Sequence, residues 1–261
     1  MERKHSLSVI MMAFNEADRI RPCLESIQGI ADEIIILDSG STDETVAICR
    51  EFTEQVFETD WPEDGIQLQR ALDKASKEWV FRIDADERIS PELRTEIETI
   101  LAGDSIAQTA FKVHWATWFF GKYLTHGEAG VAHLNLFLRE GARFETQPRH
   151  ARLRPAPGPT GRLKGRLYHH SWRDMRHLLD KLSDYACTIA RYRAEEGDRG
   201  GVAQTFVHGV GRFLKVYLLR RGFLDGRRGL LMATLFSQYA FNKYAAMWAE
   251  TQPGPPTSNR R

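Results

Sequence analysis

Two aspartates one residue apart, Asp84 and Asp86, follow an apolar segment over residues 79–83 (WVFRI), and Glu87 comes directly after them. Carboxylates at i and i+2 on a strand end can divide their work. One can accept from ribose hydroxyls while the other holds a hard cation, Mg2+ or Mn2+, whose remaining positions go to phosphate oxygens. Alone, such a pair is equally a solvated acidic turn. Two companions give it weight, because Asn15-Glu16 and Asp38-Ser39-Gly40 also follow apolar runs directly. Asp38 can accept from a nucleobase N–H, with Ser39 and Gly40 allowing close backbone approach. The alternatives are that Asp38 and Asp43 shape the turn, and that Asn15 and Glu16 cap a helix.

The elements that must position these groups are legible in the first hundred residues. Leu7–Ala13 (LSVIMMA) is a continuous apolar run, as expected of a parallel strand buried on both faces. A helix follows, with Ile20, Cys23, Leu24 and Ile27 at 3-to-4 spacing. Residues 33–37 (EIIIL) form a second buried strand, and Val46, Ile48, Cys49 and Phe52 give the next helix its inner face, with Ser41 or Thr42 as its cap. A short strand over 55–58, a helix over 67–76 and the strand over 79–83 continue the alternation. Ser90-Pro91 then opens a capped helix with proline at its first position. This order predicts an α/β fold with a doubly wound, mostly parallel sheet. Ligands on such sheets bind at the carboxyl ends of the strands, so the three polar groups should converge on one edge.

Farther on, strands are expected over 110–115, 134–139 and 167–170, with the proline- and glycine-rich stretch 154–165 as an exposed loop. His169 and His170 are adjacent on a strand and should point to opposite faces, so they cannot both chelate one ion without a bend. Helices over 173–196, 202–221 and 227–249 form a C-terminal helical appendage. The expected organisation is a catalytic domain over 1–172, an amphipathic helical region over 173–250 and a disordered tail over 251–261.

The net charge of +1 conceals an asymmetry. Residues 1–100 carry 11 Lys/Arg against 23 Asp/Glu, and the remainder 25 against 12. The basic part suits an anionic membrane or a phosphorylated acceptor; nucleic acid lacks any supporting motif. In the C-terminal helices Phe206, Val210, Phe213, Leu214, Tyr217 and Leu218 follow helical spacing with Arg212 and Lys215 between them, the pattern of an interfacial helix on anionic lipid. Packing against the catalytic domain is the competing reading. The apolar runs are too short to span a bilayer, which takes ~20 residues. No secretory leader is read at the N-terminus, so a cytoplasmic protein, peripheral on the inner membrane, is expected. Three dispersed cysteines (Cys23, Cys49, Cys187) without a C-x-x-C pair read as free thiols.

Taken together, the segments resemble the family-2 glycosyltransferases of GT-A fold. The resemblance rests on Asn15-Glu16 after the first strand, Asp32-Glu33-Ile34-Ile35 leading to Asp38-Ser39-Gly40-Ser41-Thr42-Asp43, and Asp84-Ala85-Asp86-Glu87. Within that family Cys23-Leu24-Glu25-Ser26, Ala71-Leu72-Asp73, Arg162-Leu163-Lys164-Gly165 and Arg221-Gly222-Phe223-Leu224-Asp225-Gly226 are similar to the branch that adds sugars to lipopolysaccharide core. The resemblance implies an inverting, metal-dependent transfer from a UDP-sugar or similar nucleotide-sugar donor to a lipid-linked or lipopolysaccharide-core acceptor. Asn15, Glu16, Asp38 and Gly40 would then lie on the donor, with Asp38 near the nucleobase, Asp84 near the ribose and Asp86 on the Mg2+ or Mn2+. Gln67 and Gln69 fall where the family has a Gln-Lys-Asn run facing the donor, and Leu68 replaces the lysine. The family's Pro-Asp and His-Glu pairs, which supply carboxylates near the acceptor, are replaced here by Ala132-His133 and His150-Ala151. His133, Glu128 and His150, with Glu145, remain as candidates for the base. The alternative is a non-catalytic or altered protein of this type that binds a nucleotide sugar or a partner enzyme.

Overall fold

An unbroken apolar strand can be buried on both faces only at the middle of a sheet, and that is where the first strand lies. The structure, a computed structural model, describes residues 3–147 and 150–253; of residues 146, 147 and 150 it describes the backbone alone. The first hundred residues form β1 (Leu7–Ala13), α1 (Ile20–Ile27), β2 (Glu33–Asp38), α2 (Thr45–Arg50), β3 (Val56–Glu58), α3 (Asp64–Lys74), β4 (Trp79–Arg82), β5 (Glu87–Ile89) and α4 (Pro91–Ala102). Strands β6 (Ala110–Trp118), β7 (Tyr123–Leu124), β8 (Ala132–Leu138), β9 (Arg143–Gln147), β10 (His150–Arg154) and β11 (Thr160–His169) follow. Helices α5 (Met175–Glu195), α6 (Val202–Leu214) and α7 (Gly226–Glu250) complete the chain, with a π-helical turn over Lys215–Leu219 and a 3-10 turn over Gly222–Asp225 between the last two.

The main sheet runs β3-β2-β1-β4-β8-β6-β11-β5, with β7 on β6. β1, β2, β3 and β4 are mutually parallel. β8 is antiparallel to both β4 and β6, β11 is parallel to β6, and β5 is antiparallel to β11. The sheet is therefore parallel in its first half and mixed in its second. One consequence fixes the site: the carboxyl ends of β1, β2, β4, β6 and β11 share one edge with the start of β8.

Apolar residues on alternate faces of the strands build two core layers. Val9, Met11, Phe81 and Val113 pack with Ile20, Cys23 and Leu24 of α1 and Leu93 and Ile97 of α4. Ile10, Ile35, Val80 and Phe137 pack with Leu68, Ala71 and Leu72 of α3 and with Phe144. Ser90 caps α4 by accepting from the Leu93 N–H, with Pro91 in the first turn. At α2 the expected caps Ser41 and Thr42 are passed over; the carboxylate of Asp43 accepts from the Thr45 N–H.

The stretch 154–165 corrects the expectation of a loop, because β11 begins at Thr160. Gly161 and Gly165 serve packing within the strand. A Cβ on Gly165 would lie 2.3 Å from the backbone nitrogen of Leu93, and one on Gly161 would lie 2.5 Å from the Phe111 ring. Gly165→Ala is expected to destabilise the protein by ~1–3 kcal/mol through overpacking against a helix backbone that cannot rotate away. A denaturant titration checks this; an unchanged midpoint would mean that α4 shifts freely.

By its contacts the chain divides into two units, Met1–Thr125 with Ala129–Trp172, and His126–Glu128 with Arg173–Arg261. The second is helical and captures the short segment 126–128. Asp225 accepts from the His126 N–H at 2.9 Å. Both oxygens of Glu128 meet guanidiniums, those of Arg212 at 2.8 Å and Arg220 at 2.5 Å. His208 stacks on Tyr244 with ring centroids 3.7 Å apart, joining α6 to α7. Of the tail expected over 251–261, residues 254–261 lie outside the described residues.

Candidate active site

The loops after β1 and β2 are laced together by side chains. Asn15 takes a left-handed backbone (φ 54°). Its Oδ1 accepts from the Thr42 N–H at 2.8 Å, and its own N–H donates to Ser41 Oγ at 2.8 Å. The Glu16 N–H donates to Thr45 Oγ1, and the Ala17 N–H to Asp43. Asp38 is buried, and its carboxylate accepts from the Gly40 and Ser41 N–H groups and from Ser41 Oγ. Gly40 turns at φ 87°, a conformation that costs glycine little. Asp38 therefore shapes its turn. Gln67, wholly buried, donates to Ser39 Oγ at 3.0 Å and to Thr59, bracing the same turn from α3. Gln69 points elsewhere, accepting from the Phe144 N–H.

The acidic run sits where β4 hands over to β5. Asp84 is gripped by Arg82, whose Nη2 donates to both carboxylate oxygens at 3.0 and 2.9 Å. Arg82 is the last residue of β4 and Asp84 follows two positions later, so the pairing is a local one. Asp86 lies at the same edge, its side chain 11% exposed. Its Oδ2 is 3.5 Å from His169 Nε2 and 3.9 Å from Arg19 Nη1. Arg19 is itself anchored by Glu16 and by the carbonyl of His170.

Glu87 is buried beneath this pair, accepting from Trp115 Nε1 and from the Asp84 N–H. Burial, and then the charge of Asp84, push its carboxyl up to about 8, with His169 opposing and Asp86 reinforcing the rise. Three acidic groups in four residues thus avoid three simultaneous charges. Trp115 is also the centre of an aromatic stack. His133 lies on it with centroids 3.9 Å apart, and His169 at 4.3 Å. His170 turns the other way, its Nε2 2.8 Å from the Tyr123 hydroxyl. Burial, and then the Arg88 charge, hold it below the ordinary imidazole range.

The edge thus gathers Asn15, Glu16, Asp38, Gly40, Gln67, Asp84, Asp86 and His133. Of the other base candidates, Glu128 belongs to the helical unit with its oxygens engaged by Arg212 and Arg220. Glu145 pairs with Arg154 at 2.7 Å. The side chain of His150 lies outside the described residues. Nothing in the sequence joins Arg19, Arg82, Glu87, Trp115 and His169 into one cluster. Arg82 and Glu87 carry a local signal, Arg82 by its spacing of two from Asp84 and Glu87 by following Asp86 directly.

Among the described residues no group of three or more His, Cys, Asp or Glu side chains is arranged to hold a metal. The pair Asp86 Oδ2 and His169 Nε2 nevertheless suits a cation that arrives with a ligand. Mg2+ and Mn2+ complexes of this kind use one or two protein groups, with phosphate and water completing the octahedron. Carboxylates at parallel strand ends beside a braced turn occupy the carboxyl edge of a doubly wound sheet, where such folds bind their ligands.

Comparison with known proteins gives the class its name. The family model "Glycosyl transferase family 2" matches residues 8–167, and the chain belongs to that family. It is 26% identical over 251 residues to an uncharacterized glycosyltransferase of Rickettsia prowazekii, covering 92% of this chain and 86% of that one. It is 28% identical over 246 residues to the lipopolysaccharide core biosynthesis glycosyltransferase LpsC of Rhizobium meliloti, covering 91% and 90%. The fold is that of the GT-A transferases. The mannosyltransferase PcManGT of Pyrobaculum calidifontis, solved with GDP-Man and Mn2+, superposes with a TM-score of 0.52 at 16% identity, over 97% of this chain and 89% of that one.

Proposed function

We propose that this glycosyltransferase moves a sugar, with inversion, from a nucleotide-sugar donor to a lipid-linked glycan acceptor of the lipopolysaccharide-core type. The observation that carries the reading is the convergence on one sheet edge of the braced turns after β1 and β2 with Asp84, Asp86 and His169. Asn15, Glu16, Asp38, Gly40 and Gln67 form the nucleotide end, where the rigid turn presents backbone to the base. Asp84, held by Arg82, faces the ribose. Asp86 and His169 would hold a Mg2+ or Mn2+, which offsets charge on the departing diphosphate when bound. His133, oriented by its stack on Trp115, accepts the proton of the acceptor hydroxyl. The acceptor class draws on the relative named for lipopolysaccharide core biosynthesis.

The test is transfer of label from a panel of nucleotide sugars, UDP-sugars first, to membranes that carry truncated lipopolysaccharide. Incorporation from one donor is expected. If every donor is bound yet none is used, a nucleotide-sugar-binding role replaces transfer.

The helical unit supports an acceptor held in a membrane. No helix among the described residues is long and apolar enough to cross one. Yet α6 and the turns after it expose Val202, Phe206, Val207, Val210, Leu218 and Leu219, the last at 80%. Lys215, Arg220, Arg221, Arg227 and Arg228 lie in the same stretch. Apolar side chains beside cations are the makeup of an element resting on anionic lipid. Sedimentation with phosphatidylglycerol vesicles should exceed that with phosphatidylcholine, and Phe206→Glu with Leu219→Glu should lower it about tenfold. Equal, weak pelleting by wild type would oppose peripheral inner-membrane attachment.

A further inference from the structure

On the far side of the acidic run from the nucleotide turns, an open groove of about 490 Å3 lies between the start of β8 and β10, with Arg82 of β4 and Lys112 of β6 on its walls. Its lining includes Arg82, Lys112, Arg152 and Arg154, four cations, together with His133, and among the described residues it contains no Asp or Glu. The size falls within the ~300–1,000 Å3 of small-ligand sites. Two of the cations are already paired, Arg154 with Glu145 and Arg82 with Asp84. Lys112, half-buried on β6, makes no ion pair or hydrogen bond with another described residue through its side chain; Arg152, exposed on β10, lies across from Glu145, whose carboxylate is shared with Arg154 and Arg143. Arg82 is also incompletely used. Its Nη2 alone spans both oxygens of Asp84, while its buried Nε has no acceptor and its Nη1 makes no described hydrogen bond.

Sheet order says which ligand this charge faces. The braced turns follow β1 and β2, the carboxylates follow β4, and the groove lies beyond β4, between β8, the next strand of the sheet, and β10. A donor seated on the turns would place its reacting carbon near Asp84 and Asp86. The next position along the edge then belongs to the acceptor. His133, the candidate base, lines that groove, so a molecule bound there would bring its hydroxyl to the base. An uncompensated excess of positive charge gathers anions, and guanidinium and ammonium donors make their strongest hydrogen bonds to phosphate oxygens.

We propose that this groove binds a phosphate group carried by the acceptor glycan, with Lys112 and Arg152 as its principal contacts and Arg82 at its inner end. The proposal rests on the transferase reading above and narrows its acceptor to a phosphorylated sugar chain.

The test uses the full chain and two probes. One is a deacylated, phosphorylated lipopolysaccharide-core oligosaccharide, before and after chemical dephosphorylation. The other is UDP with Mn2+. Both are titrated calorimetrically into wild type, Lys112→Met, Arg152→Ser and the double variant. Each single substitution should weaken binding of the phosphorylated oligosaccharide about tenfold, as expected for one charged hydrogen bond, and dephosphorylation should do at least as much. UDP affinity should change less than twofold in every variant, which also shows that each is folded. A parallel loss of UDP affinity would overturn the proposal and give the groove to the donor diphosphate. It would equally be overturned by oligosaccharide binding that survives dephosphorylation, which would point to acidic sugars, or by absence of oligosaccharide binding to wild type. If wild type binds the oligosaccharide through these residues but binds no nucleoside diphosphate, the groove stands and the transferase reading fails.

Discussion

Replacing Asp86 by alanine is expected to lower sugar transfer about a thousandfold and to abolish any dependence of nucleotide binding on Mn2+. Of the two aspartates at the end of β4, Asp84 already spends both oxygens on Arg82. Asp86 lies 3.9 Å from the Arg19 guanidinium and approaches the imidazole of His169. Without its carboxylate, a cation at this edge would keep one imidazole as its protein donor. Imidazole alone is a poor match for Mg2+ or Mn2+, which favour oxygen. A thousandfold corresponds to about 4 kcal/mol at ~1.4 kcal/mol per factor of ten. Titration of UDP with and without Mn2+, into wild type and Asp86→Ala, measures the binding part directly. Metal-dependent binding that persists in the variant would remove Asp86 from this role.

The second large effect is at His133. His133→Phe should reduce kcat by ~10²–10⁴, the usual worth of a positioned general base, while leaving UDP affinity within about twofold. Phenylalanine is chosen because it preserves the stack on Trp115, whose centroid lies 3.9 Å from the imidazole. Loss of turnover would then report lost proton transfer and not a collapsed site. Steady-state rates at saturating donor and acceptor make the distinction. Unchanged kcat would reduce His133 to a packing ring, and His150 would be the next candidate to replace.

Much of the parallel half is legible because each of its buried strands is an unbroken apolar run followed by a polar group. Continuous burial, a turn at the carboxyl end and a returning helix are all local properties. The mixed half is less legible for equally physical reasons. β5 has three residues, one of them Arg88, too short to show any period. The start of β11 reads as a loop because Gly161 and Gly165 punctuate it, yet both are demanded by neighbours distant in sequence, Phe111 and Leu93. At the site, the positions of Asp38, Asp84 and Asp86 follow from the strand ends, and the turn-shaping alternative for Asp38 describes its hydrogen bonds. The Glu87–Trp115 bond and the approach of His169 to Asp86 join residues 28 and 83 positions apart. No local pattern encodes such pairs.

The strand pairings also set an order in time. β1, β2 and β4 can find one another within the first hundred residues, over short helical crossovers. β5 has a different partner: Glu87 and Ile89 pair with His169 and Leu167, some eighty residues farther along. Closing so long a separation is slow relative to local contacts, and during synthesis it must wait for the later strand to emerge. The carbonyl of Asp86 accepts from the His170 N–H at 2.8 Å. Asp86 therefore gains its final setting only when the end of β11 arrives. The half of the edge that holds the braced turns after β1 and β2 can be complete while the half that holds Asp86 and His169 is still unmade, so a nascent chain can be largely folded with its candidate site incomplete.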